Sequence, residues 1–421
     1  MKKVCIIAGK RIPFMRSSTN YMGLTLRDLM KPAMEELVSE LKLEGKQLGE
    51  VAMGAVNKHA YDFALAREMV LDSKLSPNTP ATDLQKACGT SLETAILVAN
   101  KIALGQIDCG IAGGADTNSD VPIEFKKNFS DRLLKLAAAR TMGQKLKALA
   151  GFSPSELMPK LPAIKEGRTG KSMGESCEDM AKTWNISREA QDQLAFDSQN
   201  KAAAAYDEGW YDDMVVSFNG KKKDGILRQA PLEKLAKLGP AFDKKSGKGT
   251  LTAANSTALT DGASCVFLCS EEYAKENNLE VMAYLSFAQS AAVDFVNDEG
   301  LLMAPAYAVP KLLKQAGITL QDFDFYEIHE AFAAQVLCTL EAWKSEAFCK
   351  DKLGLESALG EIDMSKLNVK GGSLALGHPF AATGGRIITG LAKLLNEKGS
   401  GRGLISICTA GGMGVTAIIE K

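Results

Sequence analysis

Four side chains stand in settings that suit them for chemistry: Cys88, His329, His378 and Cys408. The chain holds only three histidines, and His378 lies in the stretch Gly371-Gly372-Ser373-Leu374-Ala375-Leu376-Gly377-His378-Pro379-Phe380-Ala381-Ala382-Thr383-Gly384-Gly385-Arg386. The flanking glycine and proline fix the backbone there and let another group approach the ring closely. Cys408 closes the apolar run 404–407 and opens the Gly-rich turn Cys408-Thr409-Ala410-Gly411-Gly412-Met413-Gly414. A thiol titrates within reach of neutral pH, so it can give and take a proton. Cys88 follows Thr82-Asp83-Leu84-Gln85-Lys86-Ala87 and precedes Leu92, Ala95, Ile96, Ala99, Ile102 and Ala103, which share one helix face. It is therefore expected at or just before a helix N-terminus, where the dipole and free N–H groups lower a thiol pKa and bind a developing anion. The common alternative for a cysteine is a buried structural thiol. His329 and Glu330 end the apolar run 323–328. Read as metal chemistry the pair lacks the second histidine of H-E-x-x-H, because position 333 is alanine. Its value lies in its place at a strand end, where α/β proteins gather catalytic groups.

The elements that must position these groups read as two similar runs. Residues 4–8 form a strand, and Leu26, Leu29, Ala33, Leu37 and Leu41 give helical spacing that Gly45 ends. A strand at 51–56, helix-favouring sequence at 63–71, and a strand at 109–112 running into Gly113-Gly114-Ala115-Asp116 follow. Between 121 and 249 charge, proline and glycine become denser, as in an inserted domain. Core-like sequence returns at 249–257 and 263–269, and 283–288 opens a second copy. There a helix ending at Gly317 and a strand at 323–328 match the helix ending at Gly45 and the strand at 51–56. The Cys88 loop, its helix and the Gly113-Gly114 strand likewise match the His378 loop, its helix and the Gly411-Gly412 strand. This plan divides the chain into 1–120, completed by 249–272, an insertion at 121–248, and 273–421. A pseudo-twofold axis between the halves would bring Cys88 and His378 to one cleft.

With 421 residues the chain can bury a large core. Its 50 Lys and Arg against 51 Asp and Glu remove any global argument for nucleic acid. Nine scattered cysteines without a C-x-x-C pair suggest neither a disulfide framework nor zinc, but reduced thiols in a cytosol-like compartment. The N-terminal apolar run is too short for a signal peptide, and no run is long enough to span a bilayer. One segment departs from neutrality: 124–147 carries Lys126, Lys127, Arg132, Lys135, Arg140, Lys145 and Lys147 against two acidic residues. Phe125, Phe129, Leu133, Leu136 and Met142 lie among them at roughly helical spacing. The plain expectation is a solvated helix packed on the domain below; the sharper one is a basic amphipathic helix on a membrane or partner.

Taken together, Cys88 before a helix, His329-Glu330-Ala331-Phe332 after a strand, and the Gly-His-Pro and Cys-x-x-Gly-Gly-x-Gly loops resemble the thiolase family over nearly the whole chain. Histidine at 329, where many members have asparagine, and the inserted Arg140-Thr141-Met142-Gly143-Gln144 are most similar to the β-subunits of fatty-acid β-oxidation trifunctional complexes and their bacterial counterparts. The resemblance implies an α/β, five-layered αβαβα fold from two duplicated halves with an inserted loop domain. It implies an acetyl-CoA C-acyltransferase that cleaves 3-ketoacyl-CoA with coenzyme A as substrate and no bound cofactor or metal. In that reading Cys88 is the nucleophile, His378 its base, and Cys408 the acid and base at the acetyl carbon. His329, through a water, and His378 meet the enolate oxygen; the N–H groups of Cys88 and Ala410 meet the tetrahedral oxygen. Glu330 orients its neighbours, while Thr257, Gly377 and Gly411 line the substrate site. Homodimers or dimers of dimers, a hydratase/dehydrogenase α-subunit, peripheral membrane contact through 124–147, cytoplasmic localisation and no nucleic acid are the partners and setting implied. Ala381 and Ala410 replace glycines usual in the family, and Cys88 is followed by the less common Gly89-Thr90-Ser91. A biosynthetic acetoacetyl-CoA thiolase is the nearest alternative. A 3-ketoacyl synthase is disfavoured by Cys408, and a non-catalytic docking subunit by the presence of all four site residues.

Overall fold

The computed structural model describes residues 1–160 and 165–421. Strand β1 (Val4–Arg11) is followed by helix α1 (Leu26–Glu40), strand β2 (Glu50–Met53), helix α2 (Leu65–Asp72) and strand β3 (Ala81–Asp83). Helix α3 (Thr90–Ala103) and strand β4 (Cys109–Asp116) precede the insertion, which holds α4 (Lys127–Ala138), α5 (Met142–Leu149), α6 (Met173–Thr183) and α7 (Arg188–Asp207). Strand β5 (Thr260–Ser270) returns to the first sheet. The second half runs β6 (Ala283–Ala292), α8 (Ala304–Ala316), β7 (Phe325–Ile328), α9 (Ala333–Lys344), α10 (Thr383–Lys398), β8 (Arg402–Thr409) and β9 (Met413–Glu420).

The two halves share one wiring. In the first, the sheet order is β1-β5-β4-β2-β3; in the second it is β6-β9-β8-β7. Each starts with two antiparallel pairings and ends in parallel ones. The counterpart of β3 shrinks to a single parallel bridge between Tyr326 and Leu367. The sheets touch edge to edge where Cys5 pairs with Tyr284 and Ile6 with Ala283.

Both faces of the first sheet are covered, and its strands β1, β4 and β5 are buried along their whole length. Ile7 and Phe267 face α1 and α2 on the outside of the first sheet. Ile6, Ile405 and Ala417 face inward onto α3 and α10, which fill the space between the sheets with Leu92, Val98, Ile102, Ile387 and Leu391. On the far side α6, α8 and α9 cover the second sheet. The layering is αβαβα. Fully burying each of those central leucines, valines and isoleucines contributes about 1.5–3 kcal/mol, which anchors the helices that follow the Cys88 and His378 loops.

The ends of the outer helices follow from sequence. A capping box, Thr25 with Asp28, starts α1. Gly317 ends α8 in the left-handed conformation. The later part of the insertion belongs to the core: Cys177 and Met180 of α6 and Leu194 of α7 lie in the same cluster as Val309 and Ile328. Among the described residues, no helix is long and apolar enough to cross a membrane.

The basic segment 124–147 is not one helix packed on a domain. It is a two-residue strand, Glu124–Phe125, followed by α4 and α5 folded against each other, and α4 has no buried residue. Arg132 closes that hairpin, donating to the carbonyls of Ala148, Ala150 and Gly151 and pairing with Glu156.

Candidate active site

Cys88 sits in a short 3₁₀ turn, Ala87–Gly89, directly ahead of α3. Ala87 before it has a φ of 45°, a left-handed conformation unusual for alanine and of the strained kind that clusters at functional sites. His378 enters from the loop before α10. Gly377 supplies a φ of 102°, open only to glycine, and the His378 amide donates to Thr260 Oγ1 at 2.8 Å. The two side chains meet: His378 Nε2 is 3.1 Å from Cys88 Sγ. On the other side of the ring, Nδ1 is 2.5 Å from Thr383 Oγ1. With Nδ1–H donating to Thr383, Nε2 turns its lone pair toward the thiol.

Close approach of the two helix starts makes this pairing possible. A Cβ on Gly384 would lie 2.4 Å from the Leu92 backbone nitrogen, and the Gly385 amide donates to Ser91 Oγ at 2.8 Å. Buried Asp116, at the end of β4, ties the same region together by accepting from the amides of Val56, Asn57 and Ala381.

Cys408 is buried at the end of β8, near enough that a charge on Cys88 adds to the effect of burial in raising its pKa. The amides of Ala410 and of Cys88 itself point at the Cys88 sulfur. His329, fully buried, lies with its ring centre 4.1 Å from that of His378. Its Nδ1 is 2.8 Å from Ser373 Oγ, and its Nε2 has no partner. Glu330 does not reach the cleft. It accepts from Ser198, Asn368 and the Leu374 amide, and so latches α7 to the loop ahead of His378.

Electrostatics overturn one expectation. The helix start does not leave Cys88 with a lowered pKa: burial pushes the thiol up to about 12, against the pull of the Ala410 amide. Burial, followed by repulsion from Arg386, brings His378 down to about 3. Both shifts favour a thiol beside a neutral imidazole over an ion pair.

The structure brings Cys88, His329, His378, Cys408 and Ala410 to one cleft. Thr257 is a neighbour whose hydroxyl donates to the Ser373 carbonyl at 3.0 Å and whose amide donates to Ala331. The amide of Gly411 donates to Glu166 of the insertion at 2.8 Å. Sequence reasoning gave no role to Thr383, Ser373, Arg386 or Asp116. The first three lie within the Gly-rich stretch, and their side chains are turned inward only by the turns that fold it. Asp116 carries no motif beyond its place after Gly113-Gly114-Ala115.

Two duplicated sheets, a Cys–His pair at facing helix starts and a second cysteine on a Gly-rich turn define the class: the chain belongs to the thiolase family. Models of the thiolase N-terminal domain and the thiolase C-terminal domain match residues 4–272 and 279–421. A protein of Vibrio cholerae named 3-ketoacyl-CoA thiolase is 44% identical, the match covering 100% of this chain and 97% of that protein. One of the same name from Shewanella baltica is 42% identical with the same coverage. Among solved structures, human mitochondrial 3-ketoacyl-CoA thiolase superposes with a TM-score of 0.82 at 27% identity, covering 100% of this chain and 99% of that one. Bacillus anthracis acetyl-CoA acetyltransferase gives 0.81 at 28%, with equal coverage.

Proposed function

We propose that the protein is a 3-ketoacyl-CoA thiolase, cleaving 3-ketoacyl-CoA with coenzyme A to acetyl-CoA and a shortened acyl-CoA. The observation that carries this is the 3.1 Å contact between Cys88 Sγ and His378 Nε2 beside the buried thiol of Cys408. Cys88 attacks the C3 ketone as His378 takes its proton, which avoids forming a free thiolate in a site that disfavours one. The resulting alkoxide is met by the amides of Ala410 and Cys88, a preorganised donor of this kind contributing about 3 kcal/mol. Collapse breaks the C2–C3 bond. The acyl group stays on Cys88 as a thioester, and the acetyl-CoA enolate takes a proton from Cys408. Coenzyme A then gives its thiol proton to the Cys408 thiolate and attacks the acyl-enzyme; the shortened acyl-CoA leaves as the Cys88 sulfur takes back the proton held by His378. In this reading coenzyme A is a substrate.

The same reading has the chain act as a homodimer or dimer of dimers in the cytoplasm. Strand β3, at the end of its sheet and just ahead of the Cys88 loop, offers an open edge that supports pairing. The hairpin α4–α5 is read as a docking face for an anionic membrane surface.

The test is purified protein with coenzyme A and 3-ketoacyl-CoAs of graded chain length, with mass spectrometry of protein mixed with acyl-CoA alone. Thiolysis of several lengths and an acyl adduct on the Cys88 peptide are expected. Cleavage of acetoacetyl-CoA only would favour the short-chain alternative; an adduct on Cys408 would reverse the two thiols.

A further inference from the structure

A hydroxyl placed between an arginine and an imidazole can send its single proton only one way. Ser373 is fully buried. Its Oγ lies 2.9 Å from Arg386 Nη2 and 2.8 Å from His329 Nδ1. A guanidinium carries donors and no acceptor, so Ser373 accepts from Arg386. The serine proton then goes to its other partner, Nδ1 of His329. Were Nδ1 to carry a proton and donate as well, the hydroxyl hydrogen would have no acceptor among the described residues, an arrangement buried polar groups avoid.

We propose that Arg386 and Ser373 form a one-way hydrogen-bond chain that holds His329 in its Nε2–H tautomer, presenting a fixed N–H donor to the substrate's thioester oxygen. The proposal rests on the thiolase reading of the cleft and adds two positioning residues to it.

Three further observations bear on it. His329 Nε2 is buried and without a partner, as a donor reserved for a ligand would be. A ring nitrogen of His329, one of His378 and the Cys88 sulfur lie within 4.8 Å of one another, so a substrate attacked by Cys88 lies within reach of His329. Burial, then repulsion from His378 and Arg386, keeps the His329 pKa well below the usual value, so the ring donates as a neutral group. The chain also bears on metals. A cysteine and two histidines at this spacing would suit zinc, but a nitrogen that bears a proton has no lone pair to give. Ser373 itself is held from both sides, since Thr257 donates to its carbonyl and the Leu374 amide donates to Glu330.

With three histidines in the chain, the tautomer can be read directly. Protein labelled with ¹⁵N in histidine, with His59→Gln used for assignment, shows by NMR which ring nitrogens carry protons. The expected result is His329 protonated at Nε2 and bare at Nδ1 in the wild type, a mixture in Ser373→Ala, and the wild-type pattern again in Ser373→Thr. Ser373→Ala should also slow proton exchange at C2 of acetyl-CoA by up to about 10²–10³-fold, the loss on removing an oxyanion donor outright. Acylation of Cys88 should be unchanged, because its oxyanion meets the Ala410 amide instead. Protonation at Nδ1 in the wild type overturns the proposal whether or not any variant folds. So does a Ser373→Ala protein with unaltered tautomer and exchange. A wild type that neither acylates nor exchanges would sink the thiolase reading, while the NMR result would still decide the tautomer.

Discussion

A thiol at a helix start gains about 0.3–1 kcal/mol from the dipole, whereas a rise of the Cys88 pKa to about 12 corresponds to ~4 kcal/mol against the thiolate. Burial therefore decides the resting state, and the acid–base work of His378 is done during attack rather than before it. Iodoacetamide, which reacts with thiolate, should label Cys88 at a rate that climbs with pH from about 6 to 10 without a plateau. A plateau beginning below pH 7 would show a preformed ion pair and contradict the neutral pair. Glu327 offers a second titration. Burial raises its pKa to about 8, with the Glu330 charge adding and Arg386 opposing. An ordinary glutamate titrates near ~4.3, so between those values the folded state keeps a proton that the unfolded state has released. Stability from this group is present at low pH and is lost as pH rises toward 8. Glu327→Gln, which mimics the protonated form, should lose less thermal stability than the wild type between pH 6 and 8.5. Parallel Tm curves over that range would show that Glu327 does not titrate in the fold.

At the scale of elements, the site depends on how closely α3 and α10 meet. Gly384→Ala would place a methyl 2.4 Å from the Leu92 nitrogen, a backbone atom that cannot swing aside. The helices must separate, at a cost of about 1–3 kcal/mol for overpacking, and Cys88 and His378 move apart with them. We expect a Tm lower by several degrees and a fall in acylation rate larger than the loss of folded protein explains. Equal acylation per folded molecule would show that the two loops hold their places independently of the helix contact. These helices were legible in the sequence because their buried residues recur at helical spacing, and the pairing of Cys88 with His378 was legible because the halves share a plan. What could not be read is whatever depends on long-range closure. Leu367 as the remnant of a strand, Ser198 on α7 binding Glu330, and Asp116 gathering three amides each join residues far apart in sequence, with no local pattern to mark them. Nor does local sequence reveal desolvation, which depends on everything packed around the thiol; that is why the helix dipole alone pointed the Cys88 pKa the wrong way.

Over the whole molecule, charges nearly cancel, and the α4–α5 hairpin is where they do not. Its apolar side chains also face solvent: Phe125, Leu134, Met142, Leu146 and Leu149 are all exposed. Not every cation there is free. Lys127 is paired with Asp131 and Arg132 with Glu156, which leaves Lys126, Lys135, Arg140, Lys145 and Lys147 without an acidic partner among the described residues; Lys126 donates to the Ser155 carbonyl. A surface that mixes these with exposed leucine and phenylalanine has the makeup of an interfacial helix. Each cation near an anionic bilayer contributes ~1 kcal/mol, so changing Lys135, Arg140, Lys145 and Lys147 to Gln should weaken binding by up to about 10³-fold, at 1.4 kcal/mol per tenfold. Arg132 is left in place because its bonds to Ala148, Ala150 and Gly151 hold the hairpin together. Sedimentation with anionic and neutral vesicles over a salt series is the measurement. Wild type should bind the anionic vesicles, release them as screening shortens toward ~3 Å near 1 M salt, and ignore the neutral ones, while the variant stays in solution with unchanged thiolysis. Equal binding by both proteins, or none to either vesicle, removes the membrane reading. If the variant instead fails to co-purify with a hydratase/dehydrogenase chain that the wild type retains, the hairpin is a protein interface and its exposed leucines are covered by that partner.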